Sequence, residues 1–363
     1  MDKTDRKIIT NDINVKTDDL VSKMPYYAKG YFTQLEQDLF SPLTRQQYAF
    51  DMLRFFEWLT TDKHSAFKNK KINGLPASDL FDKLTKDDIQ EYKTYLSETC
   101  DSLALSRKIS CLRGFINYLY KEELIKNALH EHITLPKQPK ADPQESIKNV
   151  LTSEQVKRIL DAVEDTTGMN DIAKGKHDKT VLRDKAIMYV LLGTGIRVQE
   201  LVNINVDEIK WEESSIPILR KGTKPDIVYI NPEIETALHD YIDNGREQLF
   251  RDTRKHKEPK RNETTDLDKK ALFISLHHKR LTVRAVETLI DNYAKKAGIN
   301  VKVTPHSLRR TFGTNVYNAT SDIYLTASAL GHSSVETTKK HYAKMDDEHK
   351  RIAAETSSSW LKK

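Results

Sequence analysis

Three prolines fall within eight positions of the segment Leu135-Pro136-Lys137-Gln138-Pro139-Lys140-Ala141-Asp142-Pro143. Proline has no amide hydrogen to donate and pushes the residue before it away from helical angles. Such a stretch neither continues a helix nor sits inside a sheet, so residues 135–148 read as an extended linker. The linker divides the 363 residues into two parts, each of ordinary domain size.

The part before the linker reads as a small helical bundle over residues 24–134. Thr44-Arg45-Gln46-Gln47 has the form of a capping box, in which the threonine hydroxyl takes the third amide and the glutamine reaches back. Tyr48, Met52, Phe55, Phe56 and Leu59 then share one helix face. Thr85 is the expected N-cap of a helix carrying Ile89, Tyr92, Tyr95 and Leu96. A further helix carries Ile109, Leu112, Phe115, Ile116, Leu119 and Tyr120, with Arg107, Lys108 and Arg113 on its other face as candidate DNA-binding residues. Residues 1–23 are polar without a strong period and read as a tail or a loosely attached first segment.

Beyond the linker, Thr152-Ser153-Glu154-Gln155 is a second capping box, opening a helix with Val156, Ile159, Leu160 and Val163. Residues 165–180 read as a polar insertion before an apolar helix over residues 186–192. Ile216, Ile218, Ile227, Val228 and Ile230 flank Lys221-Gly222-Thr223-Lys224-Pro225-Asp226, which predicts a small antiparallel hairpin. Residues 251–261 read as a basic exposed loop. Leu272-Phe273-Ile274 fits a short strand or a buried turn. A helix over residues 282–297 is stopped by Gly298. The fold class is therefore mainly α with a small antiparallel β-sheet.

Composition narrows the function classes. Hydrophobic residues make up 38% of the chain, enough for packed cores. The apolar run 186–192 is seven residues, against the ~20 that a bilayer span needs, so no membrane partner is expected. The first residues lack the apolar core of a secretory signal. Two cysteines, Cys100 and Cys111, allow neither a disulfide framework nor a four-thiolate zinc site, which fits a reduced, cytoplasmic protein. A net charge of +6 permits nucleic-acid binding without requiring it.

The chemistry-bearing residues cluster in four segments of the second part. Arg197 follows directly on Thr194-Gly195-Ile196, with Glu200 three residues on, placed to hold it. Lys221 lies on the hairpin, with Lys224 as its nearest rival. His306 and Arg309 in Pro305-His306-Ser307-Leu308-Arg309 are spaced to share a helix face. His332 follows Gly331, and Tyr342 lies ten residues after His332.

In order and spacing these residues resemble the signature of the tyrosine site-specific recombinases, the Xer/phage-integrase family: Arg, Lys, His-x-x-Arg, His, Tyr. The resemblance spans residues 24 to 350. Within the family, Lys23-Met24-Pro25-Tyr26-Tyr27 and Val303-Thr304-Pro305-His306 look most like the single-Xer (XerS-like) type. Two positions depart from the pattern: Arg310 and Lys344 stand where histidine is usual or frequent. Neither is in the catalytic set.

The resemblance implies a helical core-binding (SAM-like) domain at 24–134 and a catalytic domain at 149–345. It also implies a C-terminal segment, 346–363, that is exchanged between protomers. Its catalytic set would be Arg197, Lys221, His306, Arg309, His332 and Tyr342, with Tyr342 the nucleophile. Arg197 and Arg309 would hold the non-bridging phosphate oxygens, Lys221 would protonate the leaving 5′-oxygen, His306 would assist proton movement at the tyrosine, and His332 would donate to the phosphate. It implies double-stranded DNA as partner, at a dif-like or attachment site, and a homotetramer on two sites. It further implies activation by the DNA translocase FtsK, with no cofactor and no metal. An integrase of a mobile element shares the chemistry. A non-catalytic DNA-binding protein is the contrasting class, and trapping a covalent DNA adduct separates it from the enzyme. A zinc hydrolase is disfavoured, because no His-Glu-x-x-His or Cys-x-x-Cys spacing is present.

Overall fold

The computed structural model describes residues 3–61, 67, 71–136, 150–220, 224–252, 265–332, 334–336, 338 and 339. Most of the linker reading, the larger part of the basic segment 251–261, and residues 346–363 lie outside them. The chain divides into two compact units that part between residues 140 and 141.

The first unit is helical. Its elements are α1 (Lys3–Ser22), α2 (Ala28–Gln37), α3 (Pro42–Thr61), α4 (Ala77–Phe81), α5 (Lys86–Thr99), α6 (Ser102–Lys121) and a 3₁₀ turn at Leu129–His132. The core is aromatic: Phe55, Phe81, Tyr92 and Phe115 are all but fully buried. Their rings meet edge to face, Phe55 on Tyr92 at 5.0 Å and Phe81 on Phe115 at 5.7 Å. Each such side chain contributes about 1.5–3 kcal/mol through burial.

Two sequence expectations are corrected here. Residues 3–22 are a helix packed on α3, not a tail. Its contact face is narrow and partly polar: Asp5, Thr17 and Val21 are buried, and Asn14 accepts from Arg45 Nη2 at 3.0 Å. A stripe built from such residues leaves no apolar period to detect. The helix α3 also starts a turn earlier than Thr44. Ser41 precedes Pro42 and its hydroxyl accepts from the Thr44 amide at 3.2 Å, so Ser41-Pro42 is the N-terminal signal. At α5 the expected cap is in place, with Thr85 and Asp88 closing a capping box.

The second unit begins with α7 (Ser153–Glu164), capped by Thr152 and Gln155. It continues with α8 (Asp171–Thr194), α9 (Val198–Val202), β1 (Ser215–Arg220), β2 (Lys224–Tyr229) and α10 (Pro232–His239). A π-helical turn, Asp240–Arg246, joins α10 to α11 (Glu247–Asp252). Then come α12 (Asp266–Lys270), α13 (Val283–Lys296), α14 (Pro305–Thr320) and α15 (Ile323–Leu330).

The helix α8 is the axis of this unit. Ala186, Ile187, Met188, Val190 and Leu191 are fully buried, and α8 packs on α7, α10 and α14. It is apolar all round over residues 186–192, as a central helix must be. Its first half corrects the polar-insertion reading, because Asn170 caps a helix that opens at Asp171. Residues 171–180 are mostly exposed, with His177 and Thr180 turned inward. Deep in the unit, Arg183 pairs with Asp184 at 2.7 Å and donates to the Ile274 carbonyl at 3.0 Å. The Tyr293 hydroxyl donates to Asp184 at 2.8 Å. Burial pushes the Asp184 carboxyl up, and Arg183 and Tyr293 act against that shift.

The strands β1 and β2 pair antiparallel in the register Ser215↔Tyr229 through Arg220↔Lys224. Residues 272–274 form a buried turn, bounded by the isolated bridges Asn205↔Ala271 and Ile274↔Arg280. The helix α13 is capped by Thr282, and Gly298 follows it with φ +67°.

Candidate active site

The end of α8 forms the first wall of the site. Thr194 turns its hydroxyl back to the Val190 carbonyl at 2.6 Å, and Gly195 closes the helix with φ +60°. A side chain at Gly195 is excluded twice: by the left-handed backbone, and because a Cβ there would lie 2.3 Å from the Phe312 ring. Ile196 is fully buried and pins the turn. Arg197 therefore emerges at the start of α9 with its direction set, its side chain 37% exposed.

Glu200 holds that arginine. Its Oε2 accepts from the Arg197 amide at 2.7 Å, and its Oε1 accepts from Arg197 Nη1 at 2.9 Å. Glu200 is itself buried, so the carboxylate is fixed and fixes the guanidinium in turn.

The helix α14 supplies the second wall. Thr304 caps it and Pro305 occupies its first turn. His306 and Arg309 stand one turn apart but differ in setting. His306 is exposed, whereas Arg309 is 4% exposed. Arg309 donates through Nη1 to the Gly195 carbonyl at 2.5 Å and through Nη2 to the Leu330 carbonyl. These acceptors lie two residues before Arg197 and two before His332. One planar fork thus ties together the two turns that carry the other candidates, a task a lysine cannot copy.

The third wall is the turn after α15. Gly331 ends the helix with φ +59°, and the His332 amide returns to the Ala327 carbonyl at 3.0 Å. His332 Nδ1 lies 2.8 Å from the hydroxyl of the fully buried Thr338. When that hydroxyl donates to Nδ1, the neutral ring carries its proton on Nε2, ready to be given to an anion.

Arg197, Arg309 and His332 are brought together by these bonds, and His306 sits on the same helix as Arg309. Lys221 and Tyr342 lie outside the described residues. Lys224 opens β2 and is exposed, paired in register with Arg220. The sequence reading missed Arg220. Alternation along β1 places Ile216, Ile218 and Arg220 on its buried face, and a charge at an inward strand position was the available signal.

The three DNA-binding candidates on α6 separate in the structure. Arg107 and Lys108 are drawn to the buried Asp51, at 2.6 and 2.8 Å. Asp51 is 2% exposed and Lys108's side chain only 10%. Their charges serve first to neutralise a carboxylate inside the bundle. Arg113 is exposed. Among the described residues, no group of three or more His, Cys, Asp or Glu is placed to hold a metal ion. No helix among them is long and apolar enough to cross a membrane.

The phage integrase family profile matches residues 149–349, more than half of the chain. The chain belongs to this family. Among relatives of this tyrosine recombinase is the tyrosine recombinase XerC of Caldanaerobacter subterraneus subsp. tengcongensis, 31% identical over 325 residues, covering 86% of this chain and 81% of the relative. The tyrosine recombinase XerD of Oceanobacillus iheyensis is 28% identical over 310 residues, covering 85% and 90%. Among solved structures, the XerH site-specific recombinase bound to palindromic difH substrate shares the fold. Its TM-score is 0.60 and its identity 18%, over 95% of this chain and 94% of that one. A lambda integrase dimer bound to a core site matches with TM-score 0.57 at 12% identity, over 87% and 93%.

Proposed function

We propose that this recombinase cleaves and rejoins DNA at a specific site through a 3′-phosphotyrosine intermediate, resolving chromosome dimers at a dif-like site during cell division. The observation that carries the reading is the Arg309 fork, which gathers the Arg197 turn and the His332 turn around one point. In-line attack at phosphorus spreads negative charge over the non-bridging oxygens, and fixed donors aimed at that charge are the main source of rate.

In this reading the Tyr342 hydroxyl oxygen attacks the scissile phosphorus, with His306 assisting removal of its proton. The bond to the 5′-oxygen breaks and Lys221 supplies that oxygen's proton. Arg197, Arg309 and His332 hold the non-bridging oxygens. The phosphotyrosine keeps the energy of the broken ester, so a 5′-hydroxyl from a partner strand can displace the tyrosine without ATP. Side chains supply the positive charge, so the reaction runs without a metal ion. The working form is a homotetramer on two sites, with half of the protomers cleaving at a time, in the cytoplasm and under the control of the translocase FtsK. Residues 24–134 hold one face of the duplex and the catalytic domain the other, and residues 346–363 join neighbouring protomers. Within the family, the chain is of the single-Xer type. The comparisons with XerC, XerD and XerH support a Xer assignment in general.

The test is resolution of a plasmid. The site is first selected by the protein from a random duplex library, and two direct copies are placed on one supercoiled circle. Purified protein with excess EDTA and no nucleotide should yield two smaller circles. Cleavage and relaxation without resolution, both by the protein alone and with FtsK, magnesium and ATP added, would remove the recombinase reading.

The role of Lys221 has its own test. A substrate with sulfur at the 5′ bridging position has a leaving group that needs no proton. It should restore cleavage by Lys221→Ala and not by Arg197→Ala. General acid catalysis contributes roughly 10²–10⁴-fold, so the rescue should be of that size. Rescue of Lys224→Ala instead would move the role to the neighbouring lysine.

A further inference from the structure

Arg220 ends β1, immediately before Lys221, and its side chain is 8% exposed. Its contacts reach three separate limbs of the site. Nη1 donates to Glu200 Oε2 at 3.0 Å, Nε donates to Asp226 Oδ2 at 2.8 Å, and Nη2 approaches the Ala329 carbonyl at 3.4 Å. The guanidinium also lies beneath Gly331. A Cβ at Gly331 would fall 2.3 Å from Nε and 2.5 Å from Cζ. The glycine before His332 is therefore needed both for its φ of +59° and for the room it leaves this arginine.

The charges explain why an arginine is buried here. Glu200 is buried beside Arg197, and a carboxylate at 2.9 Å weakens the positive field that a phosphate would feel. Arg220 shares that carboxylate from the other side, and Asp226 balances Arg220 in turn. The chain of charges runs Arg197, Glu200, Arg220, Asp226. Within it Glu200 is divided between two cations, so Arg197 keeps more of its charge for the ligand.

We infer that Arg220 is a positioning residue for strand cleavage: by sharing Glu200 and packing under Gly331, it sets the charge and direction of Arg197 and the placement of the His332 turn, and links both to the hairpin that carries Lys221. The inference rests on the recombinase reading above. Arg220 acts through Arg197 and His332 and does not itself meet the phosphate.

The experiment measures single-turnover cleavage of a nicked suicide duplex carrying the selected site, by the full-length protein and Arg220→Lys. The lysine keeps the charge but cannot reach Glu200, Asp226 and the Ala329 carbonyl together. Cleavage should slow by ~10–100-fold, the usual effect of losing a group that orients a functional side chain. Half-site binding should stay near wild type. The decisive arm repeats the comparison with a methylphosphonate at the scissile position. That group lacks the negative non-bridging oxygen the arginine clamp serves, so the gap between wild type and variant should close. Asp226→Asn, on the more exposed hairpin strand, loosens the same arginine without emptying its site. It should show the same pattern with a smaller loss, and it replaces Arg220→Lys if that protein does not fold. Wild-type rates in both variants, or an equal slowing on both substrates, would reduce Arg220 to a structural residue and overturn the inference. Wild-type protein that forms no adduct on the phosphodiester would remove the recombinase reading, and the inference with it.

Discussion

Arg309→Ala should lower single-turnover strand cleavage by at least ~100-fold, the loss expected when a fixed donor to a developing oxyanion is removed. The residue has two tasks. Its fork holds the Gly195 and Leu330 carbonyls, and in the proposed mechanism the same guanidinium also holds a phosphate oxygen. Alanine leaves two carbonyls without their donor, at about 1–3 kcal/mol for each group that stays buried and unsatisfied. The melting temperature should therefore fall as well, and the two effects must be separated. Arg309→Lys does so. It restores the charge but not the fork, so cleavage should stay within about tenfold of the alanine variant, a difference of ~1.4 kcal/mol in barrier. Half-site binding, which comes mostly from phosphate contacts spread over the interface, should change little in either variant. A lysine variant cleaving at the wild-type rate would show that charge alone suffices and that joining the two turns is not what the site depends on.

Much of this arrangement was legible in the sequence, for reasons that differ from element to element. Thr85 and Thr152 were readable as N-caps because capping is a local bond between residues three apart. The hairpin was readable because β-branched residues flank a turn-forming segment. Helix α1 was not, because its buried face includes Asp5 and Thr17, and a polar contact face carries no hydrophobic period. The early half of α8 was hidden in the same way. Glu200 was correctly placed as the partner of Arg197, since three residues of spacing suffice to predict it.

The longer-range features were not legible. No local pattern says that Arg309 reaches the carbonyl of Gly195, 114 residues earlier, or that Arg220 crosses to Ala329. Such contacts depend on how α14 packs on α8 and α15 on α14. Arg107 and Lys108 have a partner that their own segment does not show. Basic residues on the polar side of a helix read as a nucleic-acid surface, yet Asp51 on α3 claims both. The sequence shows that carboxylate as one more helix residue, and only its burial reveals that it needs two cations.

The central claim is that Tyr342 becomes joined to DNA, and the most direct measurement is to map that bond. Wild-type protein is incubated in EDTA with a nicked suicide duplex carrying the selected site, so that the released strand end diffuses away and the adduct accumulates. The complex is digested with protease and nuclease, and the nucleotide-bearing peptide is sequenced by mass spectrometry. The adduct should map to Tyr342 through a 3′-phosphate, and Tyr342→Phe should bind the same duplex while forming no adduct. An adduct retained in Tyr342→Phe, or mapped to any other residue, would contradict the account.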